Sequence, residues 1–333
     1  MRVLITGGTG IIGSLTGRKL AAQGHRVRLL DVAPDPVAVE RNGGGADGLE
    51  VVAGDVLSFG DVVAATRDVD AVVHLAYSLG EATSRRPYAA TQLNVQGTAT
   101  VLEAARLLGV HRVVLASSIA VYGSDGAYAP EELPLTEDAA TRLAPGMPLY
   151  GAGKLYLEQL ARVYRTTHGV LCLGIRPSPV YGPGGVRGVS GWLSRVIEGA
   201  ATGRTVTVDR GDARISLVHV EDVAEQLVRL VELDAAALAD RFFFNTGGDA
   251  TTMRALAALV QELVPDARLE VVSDGEPDIA GLATQVSGRA LTQLTGYERR
   301  YDLRSGLRAH VGAVRAPARP GLRARGGEVL HER

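Results

Sequence analysis

The strongest constraint on the fold of this chain lies in its first thirteen residues. A short apolar run, Arg2–Thr6, leads directly into Gly7, Gly10 and Gly13 in the stretch LITGGTGIIG. A strand that runs into closely spaced glycines and then a helix presents unpaired backbone N–H groups and the positive end of a helix dipole to an anion. The glycines let the backbone turn tightly, approach phosphate closely and pack the helix on the strand. A pyrophosphate fits that role. The spacing is G-x-x-G-x-x-G, which taken alone marks only a turn; the pattern of the next 160 or so residues gives it meaning.

That pattern is an alternation. Aliphatic runs at Arg2–Thr6, Arg26–Leu30, Glu50–Val52, Ala71–Leu75, Arg112–Ala116 and Leu171–Ile175 are separated by helical patterns at Ser14–Gln23, Asp61–Thr66, Thr91–Leu108 and Leu149–Arg165. Such order predicts βαβ units around a parallel sheet buried on both faces. The fold class is therefore α/β: a Rossmann doubly wound parallel sheet, with a smaller C-terminal α/β region interleaved with it. After Arg176 the regularity breaks into Pro177, Pro179, Gly182, Pro183, Gly184 and Gly185, as in a loop or lid. Strand patterns return at Thr205–Val208, Ile215–Val220 and Phe242–Phe244, with helices from about Asp222 and near Thr251. The domain reading is a dinucleotide-binding unit over 1–176 with returning segments at about 213–248. A substrate region and lid fall at 177–212 and 249–313, and 314–333, rich in Arg, Pro and Gly, is expected to be a disordered tail.

Composition excludes several classes. The net charge of -2 offers no global attraction to nucleic acid, and no apolar stretch approaches the roughly 20 residues of a membrane span. No His, Cys and carboxylate cluster has metal-ligand spacing, so no metal is expected. The single Cys172, inside an apolar run, reads as a buried inert thiol. The chain begins on a strand pattern without a basic leader, which predicts a cytoplasmic protein.

Two acidic residues and one spaced pair carry the candidate chemistry. Asp31 ends the second strand, where a carboxylate accepts hydrogen bonds from the adenosine ribose and repels a 2′-phosphate; this selects NAD over NADP. Asp55 and Val56, after the third strand, stand near the adenine in the same scheme. Tyr150 and Lys154 lie four apart on a predicted helix and project from one face. A phenol with an ordinary pKa of ~10 is a poor base, and a nearby ammonium favours its ionised form. Upstream, the fifth strand ends in Ser117 and Ser118.

Taken in order, TGGTGIIG, LLD, GDV, VVHLA, NVQGT, SSIAVYG, YGAGK, LGIRPSPVYGPG, LVHVEDVA and YDLRSGLRAHV span nearly the whole sequence. The chain resembles the NAD-dependent epimerase/dehydratase branch of the extended short-chain dehydrogenase/reductase family. The resemblance implies roles position by position. Ser118 hydrogen-bonds the reacting oxygen, Tyr150 accepts and donates the proton, and Lys154 binds the nicotinamide ribose and lowers the tyrosine pKa. Gly7, Gly10, Ile11, Ile12 and Gly13 hold the pyrophosphate; Leu75, Ala76 and Tyr77 line the cofactor; Asn94 helps hold it; Pro177 and Ser178 sit near the nicotinamide. His74 and His219 fall in matching stretches and read as packing or hydrogen-bonding residues. Members of the family often dimerise through paired helices, so a homodimer is expected beside a small-molecule substrate.

Departures narrow the reaction. Dehydratases carry Asp-Glu after the serine or threonine and decarboxylases a Glu, but this chain has Ile119 and Ala120, which shuttle no proton. Pro179 stands where nucleotide-sugar enzymes carry Asn. Ile215 stands where the diphosphate-binding arginine is expected, with Arg214 able to serve only after a one-residue bulge. Arg85, Arg86, Arg187 and Arg195 lie in loop or lid segments and are alternative sources of charge. Three readings remain: a nucleotide-sugar 4-epimerase, which the resemblance favours; an NAD(P)-dependent ketoreductase or dehydrogenase acting on another secondary alcohol or ketone, which Pro179 and Ile215 favour; and a non-catalytic dinucleotide sensor.

Overall fold

The computed structural model describes residues 1–42, 48–79, 81–142, 149–184, 191–238, 241–273, 275 and 281–316. The first half runs β1 (Arg2–Thr6), α1 (Ile11–Ala22), β2 (Arg26–Asp31), α2 (Pro36–Arg41), β3 (Leu49–Ala53), α3 (Phe59–Thr66), β4 (Ala71–His74), α4 (Glu81–Arg85), α5 (Pro87–Thr91), α6 (Gly97–Leu107), β5 (Arg112–Ala116), α7 (Leu149–His168) and β6 (Leu171–Arg176). The second half runs β7 (Val180–Tyr181), α8 (Gly191–Ala201), β8 (Thr205–Val208), β9 (Arg214–His219), α9 (Val220–Glu232), β10 (Phe243–Asn245), β11 (Asp249–Thr252), α10 (Met253–Leu263), β12 (Arg268–Val271), α11 (Arg289–Thr295) and α12 (Leu303–Arg315).

Seven parallel strands form the main sheet in the order β10-β6-β5-β4-β1-β2-β3. The chain winds one way from β1 to β3 and the other way from β4 to β6, so the order reverses between β1 and β4. In open parallel sheets the crevice beyond the carboxyl ends of such a pair of strands is where ligands settle. Both faces are dry. Val3 and Ile5 point into a cluster with Val223, Leu227 and Val231 of α9, and Leu4 points into one with Val101 and Leu102 of α6 and Leu157 of α7. Each such side chain contributes about 1.5–3 kcal/mol by leaving water, which explains why these strands read as continuous apolar runs.

The smaller region holds a three-stranded sheet, β11-β9-β7, and a parallel pair, β12-β8, around a core shared by α8, α10 and α12. Here the structure divides the stretch 213–248 differently from the sequence reading. β9 pairs antiparallel with β11 and buries Ile215 and Leu217 in the smaller core, and only α9 and β10 return to the main sheet. α12 continues through residues 314 and 315, where a tail was expected, and 317–333 lie outside the described residues.

The single helix expected over Thr91–Leu108 is three pieces: α5, a π turn over Gln92–Gln96, and α6. Extra residues of this kind inside a helix recur at functional sites. Here the turn sets Asn94 facing the loop after β4, with Ser78 N donating to Asn94 Oδ1 at 2.7 Å and Asn94 Nδ2 donating to Ser78 O at 3.3 Å.

Candidate active site

The site is assembled at the reversal point. Gly10 caps α1 without any side-chain hydrogen bond, so the helix opens on bare amides at Ile11 and Ile12. The helix starts three residues before the sequence pattern suggested, because glycine and isoleucine give no polar cue there. Gly7 has φ of 65°, and a Cβ on it would lie 2.9 Å from Ala76 N; one on Gly13 would lie 2.6 Å from Gly7 O. The glycines thus let the loop pack directly on its own backbone and on the segment after β4, where any Cβ would collide. In the segment after β7, a Cβ on Gly184 would run into Ile11, so that segment lies over the start of α1.

Asp31 is drawn to the same loop. Its Oδ2 accepts from Thr9 N at 3.2 Å and from Thr9 Oγ1 at 2.9 Å, while its Oδ1 has only a 3.5 Å approach from Ala33 N. Asp55 Oδ1 accepts from Leu57 N at 2.9 Å and shapes the turn after β3, and Val56 is buried against Gly97. Leu75 N and Ala76 N both donate to Thr6 Oγ1 at 3.3 Å, fixing the end of β4 beside β1. An uncapped helix start, a tight glycine loop and a half-open carboxylate fit a dinucleotide. Asn94 acts on the Ser78 backbone in this structure.

β5 and α7 bring Ser118, Tyr150 and Lys154 together. Ser118 leaves the strand extended; its Oγ accepts from Ala120 N at 3.1 Å, and its side chain lies beside the Tyr150 phenol. Ile119 N donates to Pro177 O at 3.2 Å, which pins this turn to the end of β6. Lys154, 3% exposed, donates from Nζ to Ala116 O at 2.6 Å. Its Nζ lies 3.3 Å from the centroid of the Tyr77 ring and 5.7 Å from that of Tyr150.

The electrostatics differ from the simple expectation of an acidified phenol. Burial pushes Tyr150 up to about 12, and the neighbouring Ser118 hydroxyl works against that rise. Burial also pulls Lys154 down to about 7, opposed by the charge of Glu158 one turn along α7. Desolvation, and not the nearby ammonium, sets the direction of the phenol's shift.

Other sequence-identified residues fall where packing requires. His74 bridges Thr6 Oγ1 at 2.8 Å and Thr98 Oγ1 at 3.1 Å, and burial holds its pKa down at about 3. His219 caps α9 through Glu221 N and lies against the rings of Tyr181 and Tyr301. Cys172 is buried, and burial pushes its thiol up to about 12. The Ser178 hydroxyl faces Ser216 at 3.4 Å, and its amide donates to Thr246 Oγ1, so this side chain is committed to β9 and its surroundings. β9 runs in unbroken register with β11 from Arg214 to Leu217, so the bulge that would bring Arg214 into the place of Ile215 is absent. Arg214, the first residue of β9, is exposed, and Ile215 is buried on the opposite face of the strand. Arg85, Arg86 and Arg195 are also exposed, and Arg187 lies outside the described residues.

Sequence reasoning missed a buried network behind the pair. Glu158 accepts from Ser117 Oγ at 2.5 Å and from Arg176 Nε and Nη2 at 2.8 and 2.7 Å, and Arg176 Nη1 donates to the Tyr122 hydroxyl at 2.6 Å. The available signal was the helical spacing, since Glu158 is four residues beyond Lys154. A second signal was compositional. Of 35 Lys and Arg residues only Lys19 and Lys154 are lysine, so a lysine held at 154 in a chain that otherwise uses arginine marks the position. Lys19 pairs with Glu221 at 3.0 Å and Glu225 at 3.5 Å.

The sequence profile described as NAD dependent epimerase/dehydratase family matches residues 3–244. The chain belongs to this family. It is 34% identical over 261 residues to a UDP-glucose 4-epimerase of Mycolicibacterium smegmatis, covering 76% of this chain and 79% of that one. It is 28% identical over 257 residues to a 3-beta-hydroxysteroid dehydrogenase of Mycolicibacterium neoaurum, covering 74% and 66%. The crystal structure of the Thermus thermophilus UDP-glucose 4-epimerase in complex with NAD superposes with a TM-score of 0.77 at 27% identity, covering 95% of this chain and 99% of that one. The chain is thus an extended short-chain dehydrogenase/reductase, in a family whose members work with NAD. Among the described residues no helix is long and apolar enough to cross a membrane.

Proposed function

We propose that the chain binds NAD at the glycine loop and moves a hydride between it and a secondary alcohol carbon, acting as a nucleotide-sugar 4-epimerase. The observation that carries the reading is the meeting of Ser118, Tyr150 and Lys154 beside a tight glycine loop at the reversal point of the sheet. Ile11 and Ile12 amides take the pyrophosphate, and Asp31 takes the adenosine ribose hydroxyls and disfavours NADP. When bound, NAD supplies a reversible two-electron acceptor. Ser118 holds the substrate oxygen, Tyr150 in its ionised form receives the hydroxyl proton and becomes the neutral phenol, and the Lys154 ammonium favours that phenolate before the transfer. Ile119 and Ala120 are buried and apolar, so no second acid stands ready for elimination.

A second reading, a dehydrogenase or ketoreductase on a substrate without a diphosphate, is favoured by Ile215. An apolar side chain sealed in the smaller core offers nothing to a phosphate. We assign the β7, β9 and β11 sheet, with the β8 and β12 pair and their helices, to substrate binding. We also propose a homodimer through α6 and α7, which expose Leu107, Tyr156 and Val163; light scattering at the mass of one chain would contradict it. A reducing, cytoplasmic setting accords with one buried thiol.

The deciding experiment is incubation with UDP- and TDP-sugars and with simple ketones and secondary alcohols while NADH is monitored. Epimer formed without added cofactor supports the first reading. Stoichiometric NADH formation or consumption supports the second. Silence across the panel with NAD bound would leave a sensor and refute both.

A further inference from the structure

We propose that Tyr77 is the positioning residue of the Tyr150–Lys154 pair, its ring face seating the Lys154 ammonium while the same ring braces Tyr150. The inference rests on the reading of that pair as the reactive one, and it assigns Tyr77 a task beyond lining the cofactor.

Tyr77 has little freedom to point elsewhere. On one side Leu75 N and Ala76 N are bonded to Thr6 Oγ1, and on the other Ser78 is held through both backbone groups by Asn94. From this anchored loop the ring reaches across to α7. Gly153 makes the approach possible, because a Cβ there would lie 2.7 Å from the Tyr77 hydroxyl oxygen. The ring then meets both partners: Lys154 Nζ stands 3.3 Å from its centroid, and the Tyr150 ring stands perpendicular to it at 88° with centroids 5.7 Å apart. An ammonium over an aromatic face and an edge-to-face ring pair are both attractive geometries.

The hydroxyl does not explain this placement. It is buried and has no hydrogen-bond partner among the described residues, so the ring is what holds the residue in place. The groups around Lys154 show what the ring does. Burial works against the charged amine, and Glu158 on α7, the Ala116 carbonyl at the end of β5 and the Tyr77 face work for it. His74 at the end of β4 is neutral, its pKa held low first by burial and then by Lys154 itself. Of these groups, only Tyr77 is in ring contact with both members of the pair. It can therefore fix the distance between phenol and ammonium as well as the lysine's protonation.

The test uses the full chain labelled with 13C and 15N lysine. Two lysines give two sets of side-chain signals, with Lys19 as the internal standard. In the wild type the Lys154 ε-methylene protons are expected well upfield of those of Lys19 because of the ring current. Tyr77→Phe should keep that displacement and the Lys154 titration midpoint. Tyr77→Leu should abolish the displacement and lower the midpoint by about half a pH unit or more. A Lys154 signal at the ordinary position in the wild type, or an unchanged midpoint in Tyr77→Leu, would overturn the proposal. If the leucine variant does not fold, the wild-type displacement and its retention in Tyr77→Phe still decide. No substrate enters this measurement, so a wrong assignment of the reaction leaves its outcome untouched and shows up only in the turnover assays.

Discussion

Glu158→Gln separates a structural loss from a chemical one in a single variant. The carboxylate is 5% exposed and takes both Nε and Nη2 of Arg176, with Ser117 Oγ as a third donor. Glutamine keeps the volume, removes the charge and turns one acceptor into a donor facing the guanidinium. Arg176, 8% exposed, is then a buried cation without its counter-ion, and removing one partner of a buried pair costs about 3–5 kcal/mol. Against a whole-domain stability of roughly 5–15 kcal/mol that loss is large. Ser117→Ala, which deletes one hydrogen bond to the same charged acceptor, is the smaller companion at about 1.5–3 kcal/mol. Urea denaturation at neutral pH measures both. The chemical consequence concerns Lys154, whose midpoint near 7 is already held up by the Glu158 charge. With that charge gone the amine loses its proton at lower pH, so the alkaline limb of the turnover profile moves toward acid. A cost below about 1 kcal/mol for Glu158→Gln, or one smaller than that of Ser117→Ala, would show that the carboxylate is not the counter-ion on which Arg176 depends.

Two further outcomes are expected from the same geometry. Asp31→Ser removes a carboxylate held beside the glycine loop by Thr9; NAD affinity should fall about 10- to 100-fold while NADP gains, as calorimetry with both dinucleotides reads, and an unchanged ratio would contradict the ribose assignment. Stability should fall with acid, because buried His74 stays neutral to about pH 3 whereas the unfolded chain takes the proton near 6.5. The unfolded state then binds more protons below that value, and the loss reaches about 2 kcal/mol by pH 5. His219, held down at about 4 by burial, adds a loss of the same sign. Chemical denaturation between neutral pH and about pH 5 measures the slope, His74→Gln should flatten it, and a flat wild-type profile would contradict the buried neutral imidazoles.

Much of the sheet was legible because its inner strands are buried on both faces and so are written as unbroken aliphatic runs, as in Val3-Leu4-Ile5 and Val113-Val114-Leu115. The assignment of β9 was not, because its continuous buried run from Ile215 to His219 suits either sheet and only its pairing with β11 decides between them. The π turn escaped notice since Asn94 is ordinary helix sequence until Ser78 is seen opposite it. At the site, Tyr150 and Lys154 could be paired by helical spacing alone. The position of Lys154 over Tyr77 could not, because it joins the loop after β4 to α7 across 77 residues of chain. The expected acidic phenol failed for a related reason: sequence shows which charges are near, and burial sets how much each is worth.

Whether Tyr150 carries the proton is decided by Tyr150→Phe, assayed for NAD binding by calorimetry and for turnover on the panel substrate that the wild type converts. Removing one hydroxyl from a proton-transfer position should leave the dissociation constant of NAD within about threefold and lower turnover about a hundredfold or more. Turnover at the wild-type rate would contradict the assignment of Tyr150, and a loss of NAD binding equal to the loss of turnover would show that this residue serves the cofactor instead of the chemistry.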